Sequence, residues 1–264
     1  MCSIFGVRFQ HENALTEVDK DRVHKFVDAL FINCMERGRH ASGLAFVGAN
    51  SIKVVKKDIL ASDFIRTPEY KKCFTDHFNL EGGYYNRTMS LIGHCRFQTK
   101  GTYLKNVNNH PIVRKEVVGV HNGCIANDDF LFNKYSKDII RNGEVDSEII
   151  FALIEHHTKE QGSISTAIKR TCDEVRGSLA CAAVHVRQPH LIWLFRGWGP
   201  CHVTHYLDIG LIAWASAETY INKAEATSKA NFGRRKDIFF DPKHMLCLDM
   251  HRNSFKLEPI GGQE

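Results

Sequence analysis

Three helical patterns succeed one another without an intervening strand, at residues 128–141, 147–157 and 164–175, with Gly143 and Gly162 as breaks. Short strand-like segments rich in β-branched or aromatic residues follow at 179–187, 190–195, 210–215, 245–250 and 255–259, separated by turn signals such as Arg252-Asn253-Ser254. Helices grouped apart from strands cannot build the alternating units of a parallel sheet, so the pattern predicts a layered α+β fold. The N-terminal half fits this. Ser3 to Phe9 reads as a strand, and over 18–36 the residues Val23, Phe26, Val27, Leu30, Phe31 and Cys34 recur at helical spacing, with Thr16 as cap, Asp19 three residues later and Gly38 as stop. Strands are expected at 43–47 and 52–57, then a helical or irregular stretch to residue 87 containing Gly82-Gly83. Further strands at 89–97 and 117–121 flank a long loop, 98–111, rich in Asn and Lys, and long loops between strands often carry function. With no repeat, low-complexity segment or linker, one domain over 1–264 is expected.

Composition excludes several classes. A formal charge of +5, spread along the chain, does not point to nucleic acid. The longest apolar runs, such as 191–195, fall far short of the ~18 residues of a membrane span, and residues 1–9 lack a basic region leading into an apolar one, so a cytoplasmic protein without membrane contact is expected. The nine cysteines show no two-residue spacing and are expected to stay reduced, leaving Asn86-Arg87-Thr88 as an unused glycosylation sequon. Cys34, Cys95 and Cys181 lie in apolar segments and read as small buried hydrophobes. His202 and His205 lack further ligands, and no phosphate-cradling glycine loop occurs, so neither metal nor cofactor is expected.

Chemistry concentrates elsewhere. Once Met1 is removed, Cys2 carries both a thiol and a free α-amine that titrates near ~8, which places a nucleophile and its base on one residue. It leads straight into a strand, which would hold the thiol rigidly. His121-Asn122-Gly123 offers an amide and a backbone N–H to a developing oxyanion, although Asn-Gly also suits a tight turn. Arg96, at the end of a strand, could grip a carboxylate or be a surface arginine. Asp146 could hold an ammonium group or cap the helix that begins at Ser147.

Together these segments resemble the class II glutamine amidotransferases, the Ntn-hydrolase glutaminase domains of glucosamine-6-phosphate synthase, amidophosphoribosyltransferase and asparagine synthetase. The matching stretches are Met1-Cys2-Ser3-Ile4-Phe5-Gly6, Arg37-Gly38-Arg39-His40-Ala41-Ser42-Gly43, Gly93-His94-Cys95-Arg96-Phe97-Gln98-Thr99, Asn108-Asn109-His110-Pro111, His121-Asn122-Gly123 with Asn127, and Asp146-Ser147-Glu148; Gly177-Ser178-Leu179-Ala180 and Ala215-Ser216 look like later landmarks. The resemblance spans about residues 1–220. It implies a four-layer αββα sandwich of two antiparallel sheets, Cys2 as nucleophile, Asn122 and Gly123 as oxyanion hole, Arg96 on the glutamine α-carboxylate, Asp146 on its α-ammonium, and Phe97, Thr99 and His110 around the pocket. Ser3 stands where the family usually has glycine, and His40 where many members have aspartate, so the neighbourhood of Arg37 must pair differently. No synthase fits in the residues after Tyr220, so either the expected product, ammonia, would pass to a separate acceptor synthase or the chain is the excised or stand-alone amidase. Two other readings are an amidase for a different γ-glutamyl or small amide, and a catalytically silent interaction protein on the same fold.

Overall fold

The computed structural model describes residues 1–9, 16–48, 51–78, 90–249, 252 and 254–261. In its first sheet β1 (Ser3–Phe9) is central, antiparallel to β4 (Ser90–Arg96) on one side and to β10 (Leu211–Ala215) on the other. Beyond β4 lie β2 (Ala41–Val47) and β3 (Ile52–Lys57), and beyond β10 lie β9 (His202–Tyr206) and β11 (Arg235–Ile238). The second sheet runs in order through β5 (Ile112–Val113), β6 (Val117–Ile125), β7 (Gly177–His185), β8 (Leu191–Arg196), β12 (His244–Asp249) and β13 (Ser254–Pro259), again antiparallel.

Side-chain alternation explains the layering. From β1, Phe5, Val7 and Phe9 join a core with α1 (Glu17–Cys34), α2 (Ala61–Phe64), α3 (Pro68–Phe78) and α7 (Glu218–Ser228), while Ile4 points the other way, into a core shared by the two sheets. From β6, Val117 and Ile125 meet α4 (Asp128–Lys134), α5 (Glu148–Gln161) and α6 (Ile164–Glu174), whereas Val118 and Val120 enter the core between the sheets. Both faces of each central strand are covered, so β1, β2 and β4 are buried throughout. The result is the layered α+β fold that the residue pattern predicts and the αββα sandwich that the family resemblance implies.

Gly6 shows how closely the interior is packed. A Cβ there would lie 2.1 Å from Cζ2 of Trp214, its neighbour on β10, and 2.4 Å from the Leu91 carbonyl oxygen. Gly6→Ala is expected to destabilise the fold by about 1–3 kcal/mol through overpacking; an unchanged urea midpoint would contradict this packing.

The Thr16–Asp19 capping box starts α1 as expected, and Gly162 ends α5 in a left-handed conformation. Three expectations need correction. The pattern at 128–141 stops being helical at Lys134, because Ile139 turns into the helix-side core and Arg141 folds back onto Asp128, Asp129 and the Phe132 ring. The strand at 117–121 continues to Ile125, carrying Asn122-Gly123 in extended ladder pairing instead of a tight turn. Helix α7 and strand β11 were not anticipated. Gly82-Gly83, the Asn86 sequon, Met89, Met250 and Asn253 lie outside the described residues. Among the described residues, no helix is long and apolar enough to cross a membrane.

Candidate active site

Antiparallel pairing of Ser3 with Cys95 sets Cys2 beside the end of β4, where the chain leaves the sheet at Arg96 and Phe97. The half-buried Cys2 thiol donates to the Phe97 carbonyl and its Sγ accepts from the Phe97 N–H, both at 3.3 Å. Burial pushes this thiol up from its ordinary value; the Phe97 N–H, the terminal positive charge and Arg96 pull it down, and Asp146 pushes it up.

Arg96 is buried, and three of its five N–H donors go to Asn109 Oδ1 at 2.7 Å, Lys100 O at 2.9 Å and Gly101 O at 2.6 Å. The guanidinium therefore shapes the loop after β4, and two donors remain. Asn109 is fixed in turn by its Nδ2 donating to Tyr103 O at 2.7 Å, and its carbonyl accepts from Lys56 Nζ at 2.7 Å. Burial, with Arg96 adding to it, lowers Lys56 to about 8.

Asn122 and Gly123 come from the other sheet. Asn122 is buried and donates through Nδ2 to Ser216 Oγ at 3.2 Å, and that hydroxyl accepts from the Ile4 N–H at 2.9 Å. One serine therefore ties the Asn122 amide to the strand that carries Cys2, leaving the second Nδ2 hydrogen for another acceptor. At Gly123, φ is 157° and a Cβ would sit 1.9 Å from the Ser178 carbonyl oxygen, so only glycine fits.

Asp146 is buried at the start of α5 and does not cap it: its Oδ2 accepts from the Ile125 N–H at 2.7 Å, across to the end of β6. The next residue, Ser147, meets His121 Nδ1 at 2.7 Å, while His121 Nε2 faces the Ser178 carbonyl at 3.2 Å; the carbonyl can only accept, so Nε2 carries the proton. His110 is buried with its ring stacked 4.0 Å from that of His94, whose Nε2 reaches His121 O at 3.0 Å. Phe97 and Thr99 are exposed on the loop. Sequence reasoning assigned no role to Asn109, Ser147 or the exposed Cys124 beside Asp146, and it noted Ser216 only as a landmark.

Burial lowers His94 to about 3 and His110 well below the ordinary 6.5. Below pH 6.5 the unfolded chain takes up protons that the folded chain refuses. The corresponding stability is complete above pH 6.5 and falls with pH by about 1.4 kcal/mol per unit for each histidine. Urea unfolding at pH 5.5 is expected to show about 1 kcal/mol less stability than at pH 7 from His94, with His110 lowering it further; equal stability would contradict their burial in neutral form.

No family model matches the chain. Among curated proteins, the glutamine–fructose-6-phosphate aminotransferase (isomerizing) of Halobacterium salinarum is 28% identical over 239 residues, covering 90% of this chain and 35% of that protein. Those of Chlamydia pneumoniae and Thermococcus kodakarensis are 34% identical over 112 residues and 31% over 118. Each of these two matches covers 18% of the relative, so the chain spans well under half the length of its curated relatives. Among solved structures, the glutamine phosphoribosylpyrophosphate amidotransferase from B. subtilis, complexed with ADP and GMP, aligns with TM-score 0.68 at 18% identity. That alignment covers 99% of this chain and 50% of the other. A structure described as the allosteric regulatory enzyme of purine biosynthesis aligns at 0.69 with the same identity and coverage. By sequence the chain is similar to glutamine–fructose-6-phosphate aminotransferases, and its two-sheet α+β fold is that of glutamine phosphoribosylpyrophosphate amidotransferase; both of these are class II glutamine amidotransferases with the Ntn-hydrolase fold.

Proposed function

We propose that this protein hydrolyses the side-chain amide of glutamine, with Cys2 as the first residue after removal of Met1, and passes the ammonia to an acceptor synthase in trans. The observation that supports the reading is that buried Arg96 and Asp146 both act electrostatically on the Cys2 thiol, while the Asn122 amide on the facing sheet is tied through Ser216 to Ile4, two residues along the chain from Cys2. A glutamine molecule needs these groups: two Arg96 donors for its α-carboxylate, Asp146 for its α-ammonium, and Asn122 Nδ2–H with Gly123 N–H for the oxygen that becomes negative.

Burial favours the neutral form of the Cys2 thiol, so the nucleophile requires a base at the moment of attack. The α-amine of Cys2 takes the thiol proton, directly or through one water, as Sγ bonds to the amide carbon. The resulting ammonium then protonates the departing nitrogen, giving ammonia and a γ-glutamyl thioester. Water, losing a proton to the same amine, breaks the thioester and releases glutamate and the thiol.

Intact-mass measurement for loss of Met1, followed by ammonia release from glutamine, tests the reading. A processed chain that binds glutamine and leaves its amide intact would overturn it. Full activity of the isolated chain, with no acceptor enzyme recovered alongside it, would count against delivery in trans.

A further inference from the structure

We infer that His40 is a positioning residue that aims the Phe97 N–H at the Cys2 sulfur; as an assignment of purpose this rests on the glutaminase reading, and as geometry it stands alone. The N–H of His40 donates to Arg96 O at 2.9 Å, and its Nδ1 accepts from the Gln98 N–H at 2.8 Å. One histidine therefore holds the backbone on both sides of Phe97, and Phe97 donates to Cys2 Sγ between those two anchors. The imidazole stacks against the rings of Phe97, at 5.0 Å and 30°, and Tyr103, at 5.1 Å and 16°, and Gln98 Oε1 accepts from the Tyr103 N–H at 3.2 Å. Since Nδ1 accepts, the ring acts through the lone pair on that nitrogen.

This also accounts for the departure at position 40. An aspartate offers carboxylate oxygens on a short stem and cannot stack against two aromatic rings. Histidine supplies an acceptor and a flat surface together, in a chain that places aromatic residues at 97 and 103. The Phe97 N–H is one of the groups that favour the Cys2 thiolate, so loosening it weakens the nucleophile without touching the groups proposed to hold glutamine.

His40→Phe keeps an aromatic ring beside its neighbours and the backbone N–H, and removes the Nδ1 lone pair together with the Nε2–H. His40→Asn returns an acceptor without the ring. The rate of Cys2 alkylation by iodoacetamide, followed at that residue by peptide mass from roughly pH 6 to 10, is the readout, together with kcat and KM for glutamine. For His40→Phe we expect alkylation at pH 7 and kcat to fall about fivefold, the value of one hydrogen bond, the alkylation profile to move to higher pH, and KM to stay within about twofold. His40→Asn should recover most of the loss. Wild-type alkylation in His40→Phe, or an Asn variant no better than Phe, would overturn the inference, because a purely packing role predicts those outcomes. Hydrogen exchange at the Gln98 amide of the unaltered protein needs no variant: protection is expected, and exchange at the rate of an open amide would overturn the assignment. A wild-type chain inert toward glutamine that still shows the alkylation pattern would remove the glutaminase reading and leave the role of His40 intact.

Discussion

Cys2→Ala is expected to lower glutamine hydrolysis by at least ~10⁴-fold while changing glutamine affinity by less than about threefold. The size follows from the proposed chemistry. Without the sulfur there is no thioester route, and only direct attack by water remains, assisted by the oxyanion donors. Affinity survives because the groups assigned to the amino-acid end, Arg96 and Asp146, take their geometry from contacts that do not involve Cys2: the Asn109 side chain and loop carbonyls for Arg96, and the Ile125 N–H for Asp146. Single-turnover assays with titration calorimetry separate the two effects. Hydrolysis within tenfold of the unaltered protein would eliminate covalent catalysis by this thiol.

Arg96→Met is expected to reduce kcat/KM by about 10²–10³-fold, mainly through KM, because a charge-assisted contact to a carboxylate in a dry site is lost. The same change should cost about 2–3 kcal/mol of stability, since Asn109 Oδ1 and the carbonyls of Lys100 and Gly101 lose their donor together. Lysine should rescue little of either effect, because its ammonium cannot serve these acceptors and a carboxylate in one plane. Saturation kinetics and urea titration of both variants check the prediction; a KM that stays put would show that Arg96 serves only the loop.

The layering was readable from the sequence because it depends on local patterns: the alternation in β1, the helical stripe and capping box of α1, and the grouping of α5 and α6 ahead of the late strands. Helix α7 escaped because its buried stripe is only Tyr220, Ile221 and Ala224, and β11 because it is a short charged edge strand. The run at 128–141 misled because tertiary contacts of Ile139 and Arg141 outweigh the helical pattern beyond Lys134. At the site, residue types and spacing identified Cys2, Arg96, Asn122, Gly123 and Asp146 as candidates. Their connections could not be read, because the tie from Asn122 through Ser216 to Ile4 joins residues 94 and 212 positions apart. That Asp146 does not cap its helix was likewise legible only in the fold.

The Ser216 hydroxyl and the contact of His94 Nε2 with the His121 carbonyl fasten together two sheets that also meet across a greasy, non-directional core. The proposed nucleophile rides on one slab and the proposed oxyanion donors on the other, so on that proposal the register between slabs is itself a catalytic coordinate. Substitutions deep in the sandwich, far from any bound molecule, would then alter the rate of the proposed reaction by sliding one half of the machinery past the other.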